Sequence, residues 1–213
     1  MGKAEFCGLD FTVNENVLIP RPETEILVDT VVEMVSRLAG LPVSRLKILD
    51  LGTGCGNIAI SLTKKIPDFK IIASDISAAA LEVAKINARR HGVYDRIEFI
   101  ESDLFDRIEG EFDIIVSNPP YVARSEFETL QKEVLMEPRV AIDGGGDGLD
   151  FYRRIIPAAA GRLNAGGHLA MEIGYGQRQA ITKIVEGIGD LKLLEVNIDR
   201  NNIDRIIVAK WIN

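Results

Sequence analysis

The sequence predicts an α/β fold, a doubly wound and mostly parallel seven-stranded sheet with helices on both faces. Three observations carry that expectation. After residue 45, short runs rich in Ile and Val alternate with longer stretches of helical periodicity. The first four runs are almost continuously apolar at their centres, as strands buried on both faces must be. Glycines and acidic residues follow three successive runs, where ligands bind in such sheets.

The expected strands are Lys47–Leu51, Lys70–Asp75, Arg96–Glu101, Phe112–Ser117, His168–Ile173, Leu191–Asn197 and Ile203–Lys210. The expected helices between them are Asn57–Lys65, Ala78–His91, Leu149–Leu163 and Gln177–Gly187. Alternation of this kind implies a parallel sheet with helical crossovers. Upstream, Thr24–Ala39 reads as an amphipathic helix entered through Pro20-Arg21-Pro22. Glu23 and Glu25 suit its positive N-terminus, and Gly40-Leu41-Pro42 ends it. Residues 1–45 are therefore expected as a hairpin and helix packed on the core, and residues 46–213 as one domain. A chain of 213 residues, 46% of them hydrophobic, can fill a single core. Asp143 to Gly148 has loop composition and could serve as a lid or as passive surface.

The net charge of −7 does not suggest a nucleic-acid binder, although a local basic patch is compatible with an acidic total. Cys7 and Cys55 form neither a disulfide framework nor a metal-ligand spacing. No metal is expected, and a reducing cytoplasmic compartment is. The opening MGKAEFCGLDF lacks the apolar run of a signal peptide, and no stretch of about 18 apolar residues exists to span a membrane. Oligomeric state leaves no trace in the sequence.

The first strand runs into Gly52-Thr53-Gly54-Cys55-Gly56. Glycines at that spacing allow a sharp turn and close approach of a ligand to the backbone. The third glycine arrives one residue too early for G-x-G-x-x-G, which favours a smaller nucleoside ligand over a dinucleotide. Asp75 follows the second strand at about the separation from which an acid reaches ribose hydroxyls. It could instead cap a helix, as could Ser77. Asp103 and Leu104 follow the third strand, where an acid could accept an adenine amino hydrogen beside an apolar wall. Cys55 has no base nearby in sequence and reads as a small turn residue.

The fourth strand stops at Asn118-Pro119-Pro120-Tyr121, since proline cannot donate to a ladder and its fixed φ stiffens the segment. The Asn118 side-chain carbonyl and the Pro119 backbone carbonyl make two acceptors on a rigid arc, matched to the hydrogens of an NH₂ group. Tyr121 could lie against a flat amide or base. A plain strand-terminating turn is the alternative.

With these motifs in place the chain resembles the S-adenosylmethionine-dependent methyltransferase superfamily and its Rossmann-like fold. More narrowly, it resembles the release-factor glutamine N5-methyltransferases. The further segments are Leu18–Glu25, Glu137-Pro138-Arg139, Gly144–Tyr152 and Glu172-Ile173-Gly174-Tyr175. The resemblance implies that Gly52 to Gly56 line the methionine part of S-adenosyl-L-methionine, that Asp75 holds its ribose, and that Asp103 and Leu104 border its adenine. It implies that Asn118 touches cofactor and substrate, and that Asn118, Pro119, Pro120 and Tyr121 receive the glutamine of a peptide chain release factor. It also implies a small helical domain ahead of this region, which the present sequence does not contain. Two rivals stand beside it: an amino-methyltransferase acting on a nucleic-acid base, and a non-catalytic S-adenosylmethionine-binding protein. Neither His91 nor His168 is placed to act as a base, while Glu172 is a candidate for shaping the site.

Overall fold

The computed structural model describes residues 2–37 and 46–213. It opens on a hairpin of β1 (Gly2–Phe6) and β2 (Leu9–Val13), closed by Cys7 and Gly8. Both turn residues have positive φ, 50° and 71°, as a two-residue turn matched to strand twist requires. A 3₁₀ turn at Pro22–Thr24 leads into α1 (Glu25–Arg37). The expected end of that helix at residues 38–42 lies outside the described residues.

The sheet then builds from β3 (Lys47–Leu51), α2 (Asn57–Lys65), β4 (Lys70–Asp75), α3 (Ala78–Arg90), β5 (Ile97–Glu101) and β6 (Phe112–Ser117). After a short α4 (Lys132–Leu135) come α5 (Asp150–Ala160), β7 (Leu163–Glu172), α6 (Arg178–Glu186), β8 (Leu191–Ile198) and β9 (Asp204–Trp211). The strand order is β5-β4-β3-β6-β7-β9-β8. The first five strands in that order are parallel, and β9 runs antiparallel to both its neighbours. The seven-stranded, mostly parallel sheet is the expected one, with chain order reversing between β3 and β6.

Alternate residues of each central strand face opposite layers. Ile48, Ile114, Val116 and Ala170 pack with α1, α2 and α3, whereas Leu49, Ile115, Leu169 and Met171 pack with α5 and α6. The hairpin joins the first layer through Phe6, Phe11 and Val13, which are buried. Each buried Phe contributes ~1.5–3 kcal/mol of transfer free energy. Asn87 on α3 completes the join. Its side chain accepts from Thr12 N and donates to Thr12 O, at 2.8 and 3.0 Å, as a neighbouring strand would.

One boundary differs from expectation by more than a residue or two at a strand. β7 starts at Leu163, five residues before His168. Leu163 pairs with Phe112, after which the register shifts. The strand passes through Gly166-Gly167 as a bulge, and those glycines hide it from a reading based on apolar runs. Among the described residues no helix is long and apolar enough to cross a membrane.

Candidate active site

Parallel register brings the strand ends together. Leu51 lies opposite both Ser74 and Ser117, and Ser117 opposite Met171. The residues that follow, Gly52, Asp75, Asn118 and Glu172, therefore emerge side by side at the carboxyl edge. Ser117 Oγ donates to Leu51 O at 2.7 Å and ties two of these ends together.

The glycine turn folds over β4. Gly52 N and Thr53 N both donate to Ser74 O at 2.8 Å, and Gly54 N donates to Asp75 Oδ2 at 2.9 Å. At Gly52 and Gly54, φ is +78° and +56°, and an added Cβ would meet nothing within 4 Å. The turn thus shows a bare backbone edge. Gly56 has a different role: a Cβ there would lie 3.0 Å from Ile60 Cδ1 and 3.1 Å from Ala84 Cβ, so it lets α2 approach α3. Asp50, fully buried beneath, accepts from Thr53 Oγ1 at 2.6 Å and from Ala59 N at 3.1 Å. It caps α2 and fixes the turn in one stroke. Burial pushes its carboxyl up to about 7 against the pull of those two donors.

These elements wall a cleft that opens to solvent. Gly52, Thr53, Gly54, Cys55, Asp75, Asp103, Leu104, Asn118, Pro119 and Pro120 all line it. Asp75 is oriented by Gly54 N and by Ser77 N, which donates to Oδ1 at 2.9 Å. Burial raises its pKa, the two backbone donors opposing. Ser77 caps α3 through Ala80 N, so the cap and the acid are separate residues. Leu104 holds φ of 48°, a conformation uncommon for a residue with a side chain, and Ser102 Oγ donates to its carbonyl at 2.9 Å. Asp103 faces the cleft with both oxygens on Arg154 Nη2 at 2.8 Å. Cys55 is buried, and burial pushes its thiol up to about 12, which removes it as a nucleophile.

Asn118 is held from a distant part of the chain. Its Nδ2 donates to Thr24 Oγ1 at 3.1 Å, and Thr24 Oγ1 donates to Glu172 Oε2 at 2.6 Å. With the NH₂ group engaged, Asn118 Oδ1 is left as an acceptor beside Pro119. Tyr121 does not line the cleft. Its hydroxyl donates to Glu172 Oε1 at 3.2 Å and its ring packs in the α5–α6 layer. The ring is drawn there because Gly174 leaves room for it: a Cβ at 174 would sit 3.0 Å from Tyr121 Cδ2. Burial, then Glu172, raises the Tyr121 pKa.

The segment from Asp143 to Gly148 is a buttress. Val122 N donates to Ile142 O, Gly144 N to Val122 O and Arg124 N to Gly145 O. Gln177 Nε2 donates to Tyr121 O and Gly148 O. The stiff Asn-Pro-Pro-Tyr segment is thereby backed at its Tyr121 end.

Several contributors carry no site role in the sequence reading. Thr24 looked like an ordinary helix-start residue. Phe151, Arg154 and Ile155 line the cleft from one face of α5, and their i, i+3, i+4 spacing was the available signal. Arg21 Nη2 donates to both oxygens of Glu137, at 2.9 and 2.8 Å, joining two segments quoted above for the resemblance across the cleft. His91 lies against Phe11 and Asp10 O, and His168 is buried on β7, so neither reaches the cleft.

Residues 24–147 match the family described as the methyltransferase small domain. Fold and site together define the class, a methyltransferase. The release factor glutamine methyltransferase of Geobacter sulfurreducens is 42% identical, over 97% of this chain and 70% of that protein. That of Agrobacterium fabrum is 44% identical, over 99% of this chain and 72% of the relative. A crystal structure of a methyltransferase from Pyrococcus furiosus superimposes with a TM-score of 0.70 over 97% of this chain and 91% of its own, at 18% identity, a likeness of fold. The chain belongs to the release factor glutamine methyltransferase family.

Proposed function

We propose that this enzyme transfers a methyl group from S-adenosyl-L-methionine to the side-chain amide nitrogen, N5, of a glutamine in a peptide chain release factor, in the cytoplasm. The observation that carries the reading is the Asn118 amide, turned by Thr24 so that its carbonyl is free beside the bare glycine turn. The relatives named release factor glutamine methyltransferases support it.

The cleft fits the cofactor. The open edge of Gly52 and Gly54 admits a chain against the backbone, Asp75 offers lone pairs to a pair of hydroxyls, and Leu104 supplies an apolar wall. In this reading Gly52, Thr53, Gly54 and Cys55 line the methionine part and Gly56 sets the turn. Asp75 holds the ribose, and Asp103 and Leu104 border the adenine, with Arg154 sharing the Asp103 carboxylate. When bound, S-adenosylmethionine supplies an electrophilic methyl group on a sulfonium.

An amide nitrogen is a weak nucleophile because its lone pair is delocalised. Asn118 Oδ1 and the Pro119 carbonyl accept its two hydrogens and fix the plane of the group. Lone-pair density then gathers on the exposed face of the nitrogen. Orientation of this kind lowers barriers by roughly 7–11 kcal/mol in well-aligned systems. Pro120 keeps the arc stiff, and Tyr121 anchors it through Glu172.

The test is incubation of enzyme, cofactor and a bacterial release factor, with DNA and RNA as parallel substrates. Mass spectrometry should find mono-methylated glutamine in the release factor and no methylated base. Asn118→Ala should abolish transfer while leaving cofactor affinity largely intact. Normal turnover by that variant would overturn the role of Asn118.

A further inference from the structure

The Thr24 hydroxyl has one hydrogen, and its destination fixes the direction of every bond in the relay. In the structure that hydrogen goes to Glu172 Oε2, so Thr24 Oγ1 can only accept from Asn118 Nδ2. The Asn118 carbonyl is then the end shown to the cleft. If Glu172 carried a proton on Oε2, it could donate to Thr24, and Thr24 could donate to Asn118 Oδ1. The Asn118 amide would turn over and show its NH₂ group instead. Two NH₂ groups facing each other cannot hydrogen-bond, so the cleft would no longer accept a substrate amide by its nitrogen end.

We infer that Glu172 and Thr24 are positioning residues that set the polarity of the Asn118 side chain, and so decide which end of an amide the cleft accepts. The inference rests on the proposed glutamine substrate. Thr24 stands on the 3₁₀ turn before α1 and Glu172 at the end of β7, both buried, and nothing else in the described fold brings those two elements into hydrogen-bond contact at the cleft.

The hydrogen-bond donors facing Glu172 fit an ionised carboxylate. Thr24 and Tyr121 donate to its two oxygens, and the Tyr152 hydroxyl on α5 donates to its backbone carbonyl at 2.8 Å. Arg205 on β9 favours the charge, and Glu23 beside Thr24 opposes it. Burial dominates and pushes the carboxyl up to about 7. Above that pH the relay runs as observed, and below it the direction can reverse.

The experiment compares wild type, Thr24→Val and Thr24→Ser. Wild-type turnover on the release factor should fall on the acid side with a midpoint near about 7. Thr24→Val, similar in shape but without the hydroxyl, should lose roughly ten- to a hundredfold in kcat/KM, the range found when the partners that orient metal ligands are removed. Its remaining activity should lack the acid limb, with affinity for S-adenosylhomocysteine held, while Tm should fall because Glu172 and Asn118 lose a buried partner. Thr24→Ser should restore both rate and limb. Wild-type rates in Thr24→Val, or no rescue by Thr24→Ser, would overturn the inference. The second measurement needs no substrate. In ¹⁵N-labelled protein the side-chain NH₂ signals of Asn118, identified by their loss in Asn118→Asp, should titrate with the same midpoint in wild type and stay flat in Thr24→Val. Should wild type methylate no glutamine, the proposed function fails, yet this titration still decides the positioning role: a flat wild-type signal overturns it.

Discussion

Asp75 shows how one side chain does two jobs at the cleft. Each oxygen accepts from a backbone N–H, Gly54 on one side and Ser77 on the other, and the residue lines the cavity. The acid thus holds the glycine turn in shape and presents a fixed acceptor pair. Hydrogen bonds to a charged group contribute ~1.5–3 kcal/mol, so Asp75→Ala should weaken S-adenosylhomocysteine binding by roughly ten- to a hundredfold. Isothermal titration calorimetry reads this directly, and unchanged affinity would rule out the role. Asp75, the glycines and Asn118 were legible in the sequence because each follows a strand whose apolar run is unmistakable. Thr24 was not, since its partner Glu172 lies 148 residues away and only tertiary packing joins them. Tyr121 was legible as part of a stiff segment, but the side it faces depends on the space at Gly174.

Among the elements, the Asn118–Tyr121 segment owes its rigidity to two sources. Proline fixes its backbone from within, and the glycine-rich buttress backs it from outside. Contact there is close enough to exclude a methyl group: a Cβ on Gly144 would lie 2.7 Å from the Tyr121 backbone. Gly144→Ala should therefore cost about 1–3 kcal/mol of stability and lower turnover, because the arc must shift to make room. Gly146→Ala is the matched control. That residue is exposed, a Cβ there meets nothing within 4 Å, and the change should stay within about 0.5 kcal/mol. Equal effects from the two substitutions, by denaturant unfolding and by rate, would contradict the buttress. Composition alone marked Asp143 to Gly148 as a loop, correctly, but could not show that its backbone hydrogen bonds are spent on Val122 and Arg124. Helix and strand ends were read to within a few residues where apolar periodicity is strong. The start of β7 was lost because Gly166-Gly167 carries no such pattern.

Across the whole molecule, two fully buried carboxylates impose a pH dependence on stability. Burial holds both Asp50 and Glu172 at about 7, well above ordinary carboxylates. Between about pH 4 and 7 the native state keeps protons that the unfolded chain releases, so each group makes stability fall as pH rises through that window. Asp50→Asn removes its share. Relative to wild type, that variant should gain up to ~3 kcal/mol between about pH 5 and 8, because that comparison spans about two units of the window at ~1.4 kcal/mol each. Urea unfolding at the two pH values checks the sign, and a gap independent of pH would refute it. The sheet itself was legible as seven strands, whereas the order β7-β9-β8 was not, because an apolar run does not name its neighbours. That order has a consequence for a chain made from its N-terminus. β8 leaves the ribosome before β9, yet among the described residues its sole partner in the sheet is β9. Until β9 arrives, β8 has nothing to pair with and β7 keeps an open edge, the kind of surface on which nascent chains stick to one another. The sheet of this methyltransferase is therefore zipped shut by β9, and the hazard of synthesis is concentrated in the interval between the making of β8 and of β9.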